Sequence, residues 1–274
     1  MTTTLRPAGP ETRGADGARA RAYTVCVNSR PVGSVRLRTD RRLGPAVGRI
    51  DALAVDEGDR RRGRGAVAAL AGEEVLRSWG CTRAAVSVPA DSPYGLRLAA
   101  SLGYTERNRH LAKDLTAGDR PALPHGTTVR PLREGELRPW LDRARTTFTA
   151  GLAETGVSAE TAHERAAATL DELVPGGVPA ARTALLGLDH GGAAVAFLWL
   201  HTAEPAWVYF VEVDAAHRGR GHGRAAMIAA ENHCRDGGGT TLGLNVFLAN
   251  TTALRLYESL GYSVVTRHFA KSLV

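Results

Sequence analysis

The sequence has few of the residues that build disulfide frameworks, zinc sites or membrane spans. Its 274 residues include only three cysteines, Cys26, Cys81 and Cys234. Their odd number and wide spacing argue against a disulfide framework or a metal site and favour a reducing cytoplasm. No apolar run approaches the roughly 20 residues that a membrane span needs, so we predict no membrane partner. Residues 1–22 are polar and lack the apolar core of a signal peptide, so we expect a disordered leader there.

Lysine is also scarce. Of the 35 lysine and arginine residues only Lys113 and Lys271 are lysines, and the formal net charge is +7. The arginines are spread along the chain, and no helix-turn-helix, zinc-finger or aromatic RNA-binding signature accompanies them. We therefore predict no nucleic-acid partner. A hydrophobic content of 43% is ordinary for globular proteins, and the length predicts about two domains.

A glycine-rich stretch, residues 213–224 with the sequence VDAAHRGRGHGR, is the most informative segment. An apolar run typical of a strand, Trp207–Val213, precedes it, and a helical pattern follows from Ala225. A strand, a glycine turn and a helix start suit a phosphorylated ligand, because helix N-termini present unpaired N–H groups and a positive dipole end. The stretch lacks the Gly-Lys-Ser/Thr ending of a P-loop, and Arg224 stands where the dinucleotide fingerprint requires its third glycine.

The stretch occurs twice, 158 residues apart. The matched pairs are Val55 with Val213, Arg60 with Arg218, Gly63 with Gly221, and Gly65 with Gly223. The same offset relates Ser101–Tyr104 to Ser259–Tyr262 and Arg109–Leu115 to Arg267–Leu273. A single register over about 60 residues indicates a tandem duplication.

Strand and helix patterns alternate in both repeats, which predicts an α/β fold with some parallel pairing. In the first repeat, strands are expected at 23–27, 31–38, 48–55, 84–88 and 107–115, and helices at 66–79 and 92–102. Residues 116–127 are rich in Pro and Gly and are expected to be a linker. In the second repeat, strands are expected at 128–131, 183–188, 193–201, 207–213, 241–247 and 263–270. Helices are expected there at 135–154, 158–173, from 225 to about 234, and at 250–260.

Two motifs of the second repeat resemble those of the GNAT superfamily of N-acetyltransferases. One is Arg218-x-x-Gly221-x-Gly223, and the other is the pattern that runs from Asn250 through Tyr257 to Tyr262. The tandem layout resembles that of mycothiol synthase, from which no substrate is carried over. The resemblance implies two GNAT-type mixed-sheet domains in tandem. Residues 23–115 would form a degenerate N-terminal domain without the early helices, and residues 128–274 a complete C-terminal domain.

The resemblance also implies a cofactor and its binding residues. The cofactor would be acetyl-CoA, and the acceptor a primary amine of a small molecule or peptide. The implied cofactor-binding residues are Val211, Val213, Arg218, Gly219, Arg220, Gly221, His222, Gly223, Arg224 and Asn250, with Arg60, Gly63 and Gly65 in the first repeat.

Tyr257 is the candidate acid for the leaving thiolate, and the first repeat has Ala99 in its place. Many family members carry a glutamate base six residues before Val213, but Trp207 occupies that position here. Glu212 is our first choice for the base. Simple alternation points it away from Trp207, although the bulge that this strand has in the family would re-aim its side chain. Glu204, His201 and a bridging water are alternatives. The resemblance also implies that this strand diverges from its neighbour, so that backbone N–H groups near Val211–Val213 would hold the thioester oxygen.

Several residues, and the function itself, have two interpretations from the sequence. Phe148, Trp199, Trp207 and Tyr209 are consistent with an acceptor pocket or with the core. His217 and His222 are expected to face solvent or belong to the phosphate loop, and no spacing indicates a metal site. The alternative to catalysis is a non-catalytic acyl-CoA binding or sensing module with a protein partner. Monomer and homodimer are equally compatible with the sequence.

Overall fold

The computed structural model describes residues 2–14, 17–40, 42–118, 120–154, 157–177 and 179–273. Its backbone contacts divide the chain into two compact units. Unit 1 comprises Met1–Arg107, Leu152–Arg165 and Thr266–Val274, and unit 2 comprises Asn108–Gly151 and Ala166–Val265. No helix of the described residues is both long enough and apolar enough to cross a membrane.

The strands are β1 Thr3–Pro7, β2 Thr12–Arg13, β3 Arg19–Val27, β4 Arg30–Asp40, β5 Gly44–Val55, β6 Arg83–Pro89, β7 Thr105–Asp114, β8 Thr127–Pro131, β9 Thr183–His190, β10 Ala193–His201, β11 Ala206–Val213, β12 Thr241–Phe247 and β13 Ser263–Ser272. The helices are α1 Arg64–Ser78, α2 Pro93–Ser101, α3 Glu134–Glu154, α4 Ala159–Leu173, α5 His222–Asp236 and α6 Thr251–Ser259. The order of elements agrees with the α/β prediction, and most boundaries fall within two or three residues of those expected.

The sheet of unit 1 has the order β1-β3-β4-β5-β6-β13, with β2 also paired to β3. All its pairs are antiparallel except β5 with β6, which are parallel. Its core contains Leu37, Leu76 and Ala68, so α1 buries its apolar side against the strands. Burial of such aliphatic side chains is the main stabilising contribution to a unit of this size.

The sheet of unit 2 has the order β7-β12-β11-β10-β9-β8. Only β11 and β12 are parallel. The sheet has an apolar core on each face. We call one the α5 face, where Val208 and Leu244 pack with Met227. The other is the α3 face, where Trp199 and Phe210 pack with Trp140.

The last strand of each repeat completes the sheet of the other repeat. Residues 108–114 of the first repeat pair with Thr241–Phe247 in unit 2. Residues 266–272 of the second repeat pair with Arg83–Pro89 in unit 1. The contiguous domains that we expected, 23–115 and 128–274, therefore differ from the structural units. Among the described residues of the expected linker 116–127, only Thr127, the first residue of β8, belongs to a helix or strand.

The expectation of a disordered leader at 1–22 was wrong. β1 pairs antiparallel with β3, from Thr3 opposite Val27 to Pro7 opposite Tyr23, and β3 itself begins at Arg19. The segment is polar because one side of this edge strand faces solvent, which is a common arrangement in antiparallel sheets. The absence of early helices from the first repeat is confirmed for the described residues, because β1, β2 and turns occupy the place of α3 and α4.

Candidate active site

The glycine loop of unit 2 ends in an open helix start. Gly219 and Gly221 have φ values of 76° and 83°, and Gly221 is the N-cap of α5 with no side-chain hydrogen bond to the helix. A Cβ added at either glycine would meet nothing within 4 Å. Gly223 is closely packed instead, because a Cβ there would lie 3.3 Å from Leu256 Cδ2. The N–H groups that begin α5 are therefore accessible to an anion.

The loop of unit 1 has the same geometry. Gly63 is the left-handed N-cap of α1, and Arg61, opposite Gly219, has a φ of 58°. The matched arginines also act alike. Arg60 Nε donates to the Val55 carbonyl at 2.8 Å, and Arg218 Nε donates to the Val213 carbonyl at 3.2 Å. Each arginine thus ties its loop to the end of the preceding strand.

The other predicted binding residues lie around this loop. Arg220 is exposed, and Arg224 Nη2 donates to Ser259 Oγ at 2.5 Å. Asn250 is the N-cap of α6, where its Oδ1 accepts from the Ala253 amide at 3.1 Å. Ser92 caps α2 in the same way in unit 1, so capping is a shared structural function of this position.

β11 and β12 separate just above the loop. They pair only from Ala206 with Leu242 to Val208 with Leu244, although β11 continues to Val213 and β12 to Phe247. The expected divergence is therefore present, and it leaves the β12 side of Val211 and Val213 without a strand partner among the described residues. Unit 1 repeats it, since β5 and β6 pair only from Val47 to Arg49.

These features fit acetyl-CoA. The start of α5, which can accept an anion, follows the end of β11 where β11 and β12 separate. Gly219 and Gly221 leave room there for the approach of a ligand. When bound, acetyl-CoA would supply the activated acetyl thioester.

A bulge at Tyr209 changes the direction of the residues that follow it. Trp199 pairs with Phe210 and Leu200 with Val208, which leaves Tyr209 as the extra residue. Glu212 consequently lies on the α3 face, the same face as Tyr209, and its carboxylate accepts from Arg143 Nε at 2.8 Å. The bulge re-aims Glu212 as the resemblance implied, and the ion pair occupies its carboxylate.

Two other base candidates have different surroundings. The Glu204 carboxylate accepts from the Thr240 amide at 2.9 Å and from its hydroxyl at 2.8 Å, and these bonds lower the pKa of Glu204. Glu204 thus caps a loop. His201 lies on the α3 face with its ring 6.1 Å from that of Tyr209.

Tyr257 lies on the opposite side of the sheet from Glu212. Its ring packs in the α5-face core with Val246 and Met227, and the residue is 6% exposed. Burial raises the pKa of Tyr257 to about 12. The phenol therefore keeps its proton at neutral pH, as an acid must.

The aromatic residues divide between core and site. Trp199 is completely buried, and Phe148 and Tyr209 pack in the same core. Trp207 is separate from them. Its ring lies over Gly243, where a Cβ would be 2.5 Å from Trp207 Cζ3, and meets the His110 ring edge-on at 4.9 Å.

His222 is buried, with 7% exposure, so of the two alternatives a solvent-facing side chain is wrong, whereas a place in the phosphate loop agrees with its position as the first residue of α5. Its ring lies 5.0 Å from that of His190 and 6.1 Å from that of His217. Burial, followed by the charges of His190, His217 and Arg220, lowers the pKa of His222. No sequence pattern indicates this contact, because His190 is the last residue of β9, 32 positions before His222.

Two buried charge clusters were also not foreseen. In unit 2, Lys113 Nζ lies 2.7 Å from Glu231 Oε2, and Glu231 is fully buried. In unit 1, Lys271 Nζ lies 2.8 Å from Glu73 Oε2, and Glu73 is 1% exposed. Both lysines of the chain therefore lie at one repeated position, each on an exchanged strand. The 158-residue offset between the lysines, and between the glutamates, is the signal that would have identified them.

The sequence profile of the acetyltransferase (GNAT) family matches residues 5–104 and 152–262. The mycothiol acetyltransferase of Nocardiopsis dassonvillei is 32% identical over 239 residues, covering 74% of this chain and 68% of the relative. That of Thermobispora bispora is 31% identical, covering 77% and 71%. For the mycothiol acetyltransferase of Propionibacterium freudenreichii subsp. shermanii, at 30% identity, the chain spans only 57% of the relative's length.

Solved structures agree at the level of the fold. A tandem GNAT protein from the clavulanic acid biosynthesis pathway is 20% identical with a TM-score of 0.53, over 96% of this chain and 85% of that one. A GCN5-related N-acetyltransferase from Sphaerobacter thermophilus is 21% identical with a TM-score of 0.61, over 92% and 80%. The profile match covers both repeats, and the chain belongs to the GNAT acetyltransferase family as a tandem member.

Proposed function

We propose that the chain is a cytoplasmic, acetyl-CoA-dependent N-acetyltransferase that acts on a primary amine of a small molecule or peptide. The main support is that unit 2 contains the open glycine loop, the diverging strands and Tyr257 together. The mycothiol acetyltransferase relatives are acetyl transferases by name. The three unpaired, buried cysteines are compatible with a reducing compartment.

Different residues would bind different parts of the cofactor. The first N–H groups of α5 and the positive end of its dipole would hold the pyrophosphate, with added charge from Arg220 and Arg224. The free edge of β11, at Val211 and Val213, would direct backbone N–H groups at the thioester oxygen, where charge develops during transfer.

Tyr257 would donate its phenolic proton to the departing thiolate. Its hydroxyl group is protonated across the physiological range because burial raises the pKa to about 12. The first repeat has Ala99 at this position and lacks helices equivalent to α3 and α4 among its described residues. We therefore place the chemistry in unit 2, and assign to Arg60, Gly63 and Gly65 a second cofactor site without turnover.

The test is thiol release from acetyl-CoA with a panel of amines that includes the acceptor of the mycothiol acetyltransferases. Tyr257→Phe should lower kcat about 100-fold or more, as loss of a general acid does, with cofactor affinity retained. Tyr94→Phe is the matched control, because Tyr94 is 65% exposed in unit 1.

Calorimetry should give two CoA molecules per chain, and one would mean that the loop of unit 1 is vestigial. If CoA binds tightly but the wild type acetylates no amine, the protein is a non-catalytic acyl-CoA binding or sensing module instead.

A further inference from the structure

The first repeat contributes a histidine to the face of unit 2 where an acceptor would approach. His110 lies on β7 directly opposite Asn245, the first residue of β12 beyond its last pair with β11. Building on the proposed function, we propose that His110 is the general base that takes the proton from the acceptor amine.

Alternation along the strands sets the side on which His110 lies. Leu111 of β7 and Leu244 of β12 pack in the α5-face core with Tyr257. Neighbouring residues point to the opposite face, so His110 and Asn245 lie on the α3 face. The acid and the base thus lie on opposite faces of the sheet, at the place where β11 and β12 open. An acetyl group in that opening has the attacking amine on one side and the leaving thiolate on the other.

Trp207 fixes the position of the imidazole. Its ring crosses Gly243, which has no side chain to obstruct it, and its edge contact with the His110 ring is 4.9 Å between centroids. Trp207 stands where many family members carry a glutamate. In this proposal the proton acceptor lies on β7, on the other side of β12 from the family's usual position on β11.

Unit 1 shows the same position without this function. His268 matches His110, and its Nδ1 lies 2.8 Å from Ser87 Oγ. Arg49 matches Trp207, and it donates to Ser87 Oγ at 2.5 Å and pairs with Asp40 at 3.1 Å. A polar network of Arg49, Ser87 and Asp40 therefore stands in unit 1 where Trp207 contacts the histidine in unit 2, and His268 serves as the internal control.

The chemistry requires one proton acceptor. A primary amine has an ordinary pKa near 10.4, so it arrives protonated and must lose that proton before its nitrogen can attack. Histidine ordinarily titrates near pH 6.5 and is suited to accept it. As the C–N bond forms and the C–S bond breaks, the nitrogen loses a second proton to solvent, and the imidazolium of His110 returns the first proton to solvent before the next turnover. Tyr257 protonates the thiolate and is reprotonated from solvent, so the products are the amide and free CoA.

The other titratable groups on this face include Glu212, Arg143, His201 and Tyr209 near the opening, and the ion-paired Arg130, Glu136 and Asp189 at the far edge of the sheet. The Glu212 carboxylate is held by Arg143 at 2.8 Å and lies four residues along β11 from the last pair with β12. His201 pairs in register with Trp207, before the strands separate. Glu212 is therefore farther along the strands from the start of the opening than His110. Tyr209 is the first residue of β11 beyond the last pair, but it packs against Trp199 in the α3-face core.

The experiment compares His110→Gln with His268→Gln in the full chain. In the wild type, kcat/KM should fall on the acidic side with one apparent pKa. His110→Gln should lose this limb and about 100-fold in rate, and His268→Gln should keep both. Calorimetric CoA affinity and melting temperature should be unchanged in both variants, which separates catalysis from folding.

A second readout is independent of turnover. The ring Cε1–H resonance of His110, assigned by its absence from His110→Gln, should titrate by NMR with the pKa of the kinetic limb. A limb that persists in His110→Gln, or that disappears in Glu212→Gln, would overturn the assignment while leaving the acetyltransferase intact. Absence of turnover in the wild type would remove both proposals.

Discussion

Replacement of Lys113 by methionine should destabilise unit 2 strongly, because it removes the nearer of the two cations that face the fully buried Glu231 and leaves only Arg235 Nη1, at 3.6 Å from Glu231 Oε2. The Nζ–Oε2 distance of 2.7 Å corresponds to a Coulomb attraction of about 6 kcal/mol at an effective dielectric constant near 20. Desolvation of both ions offsets much of this energy. Removal of one member of a buried pair ordinarily costs about 3–5 kcal/mol, and Lys113 keeps 20% exposure, so we expect about 3 kcal/mol.

Chemical denaturation followed by tryptophan fluorescence is the appropriate assay, because three of the four tryptophans, Trp140, Trp199 and Trp207, lie in unit 2. A loss of about 3 kcal/mol would also lower Tm by roughly 6–12 °C. The control is Arg120→Met. Arg120 pairs with Asp236 at 2.6 Å, also in unit 2, but the two side chains are 55% and 58% exposed, so the cost should be about 0–1 kcal/mol.

The double variant Lys113→Met with Glu231→Leu should recover most of the stability, because a well-packed apolar pair can replace a buried ion pair. Equal costs for Lys113→Met and Arg120→Met would refute the reasoning, since burial would then have no effect on the pair. Lys271→Met repeats the experiment on Glu73 in unit 1, where calorimetry should detect the loss.

Two further predictions concern the site of unit 2. Gly243→Ala places a Cβ 2.5 Å from Trp207 Cζ3, so it should cost about 1–3 kcal/mol by denaturation and lower kcat/KM, whereas Ala85→Gly at the matched position of unit 1 should leave kcat/KM unchanged. His222 has a lowered pKa in the folded state, so the unfolded chain binds more protons below about pH 6.5, and stability should fall as the pH drops through that value. Melting curves from pH 7.5 to 5.5 should show a smaller fall for His222→Asn than for the wild type, and equal slopes would exclude His222 as the cause.

Local patterns predicted the elements well, because strand alternation, helical spacing and glycine stops are properties of short segments. Ser158 is an example. Serine is a preferred residue at helix starts, and here Ser158 directly precedes α4 and its hydroxyl accepts from the Thr161 amide at 3.1 Å. The bulge and the divergence of β11 from β12 came from the family resemblance. Alternation alone pointed Glu212 to the wrong face.

The exchange of the closing strands could not be predicted from local sequence. Arg109–Leu115 and Arg267–Leu273 have nearly the same residues, so strand propensity and apolar pattern fit either sheet equally well. The choice depends on which pairing the connections allow, and that is a property of the whole chain. The burial of His222 was missed for a related reason, since its partner His190 is 32 positions away in the sequence.

The two repeats differ in the residues proposed for catalysis, but each still supplies a strand and a buried lysine to the other. At the 158-residue offset, Tyr257 is aligned with Ala99 and Trp207 is aligned with Arg49. The proposed acid and the aromatic residue beside the proposed base are therefore absent from the first repeat. Lys113 and Lys271, with their buried glutamates, are the same in both. Unit 2 without the first repeat would lose the strand beside β12, and with it His110 and Lys113, the nearer cation of Glu231. Retention of an incomplete repeat is thus explained by the strand that it supplies to the working unit, whether or not its own glycine loop still holds a cofactor.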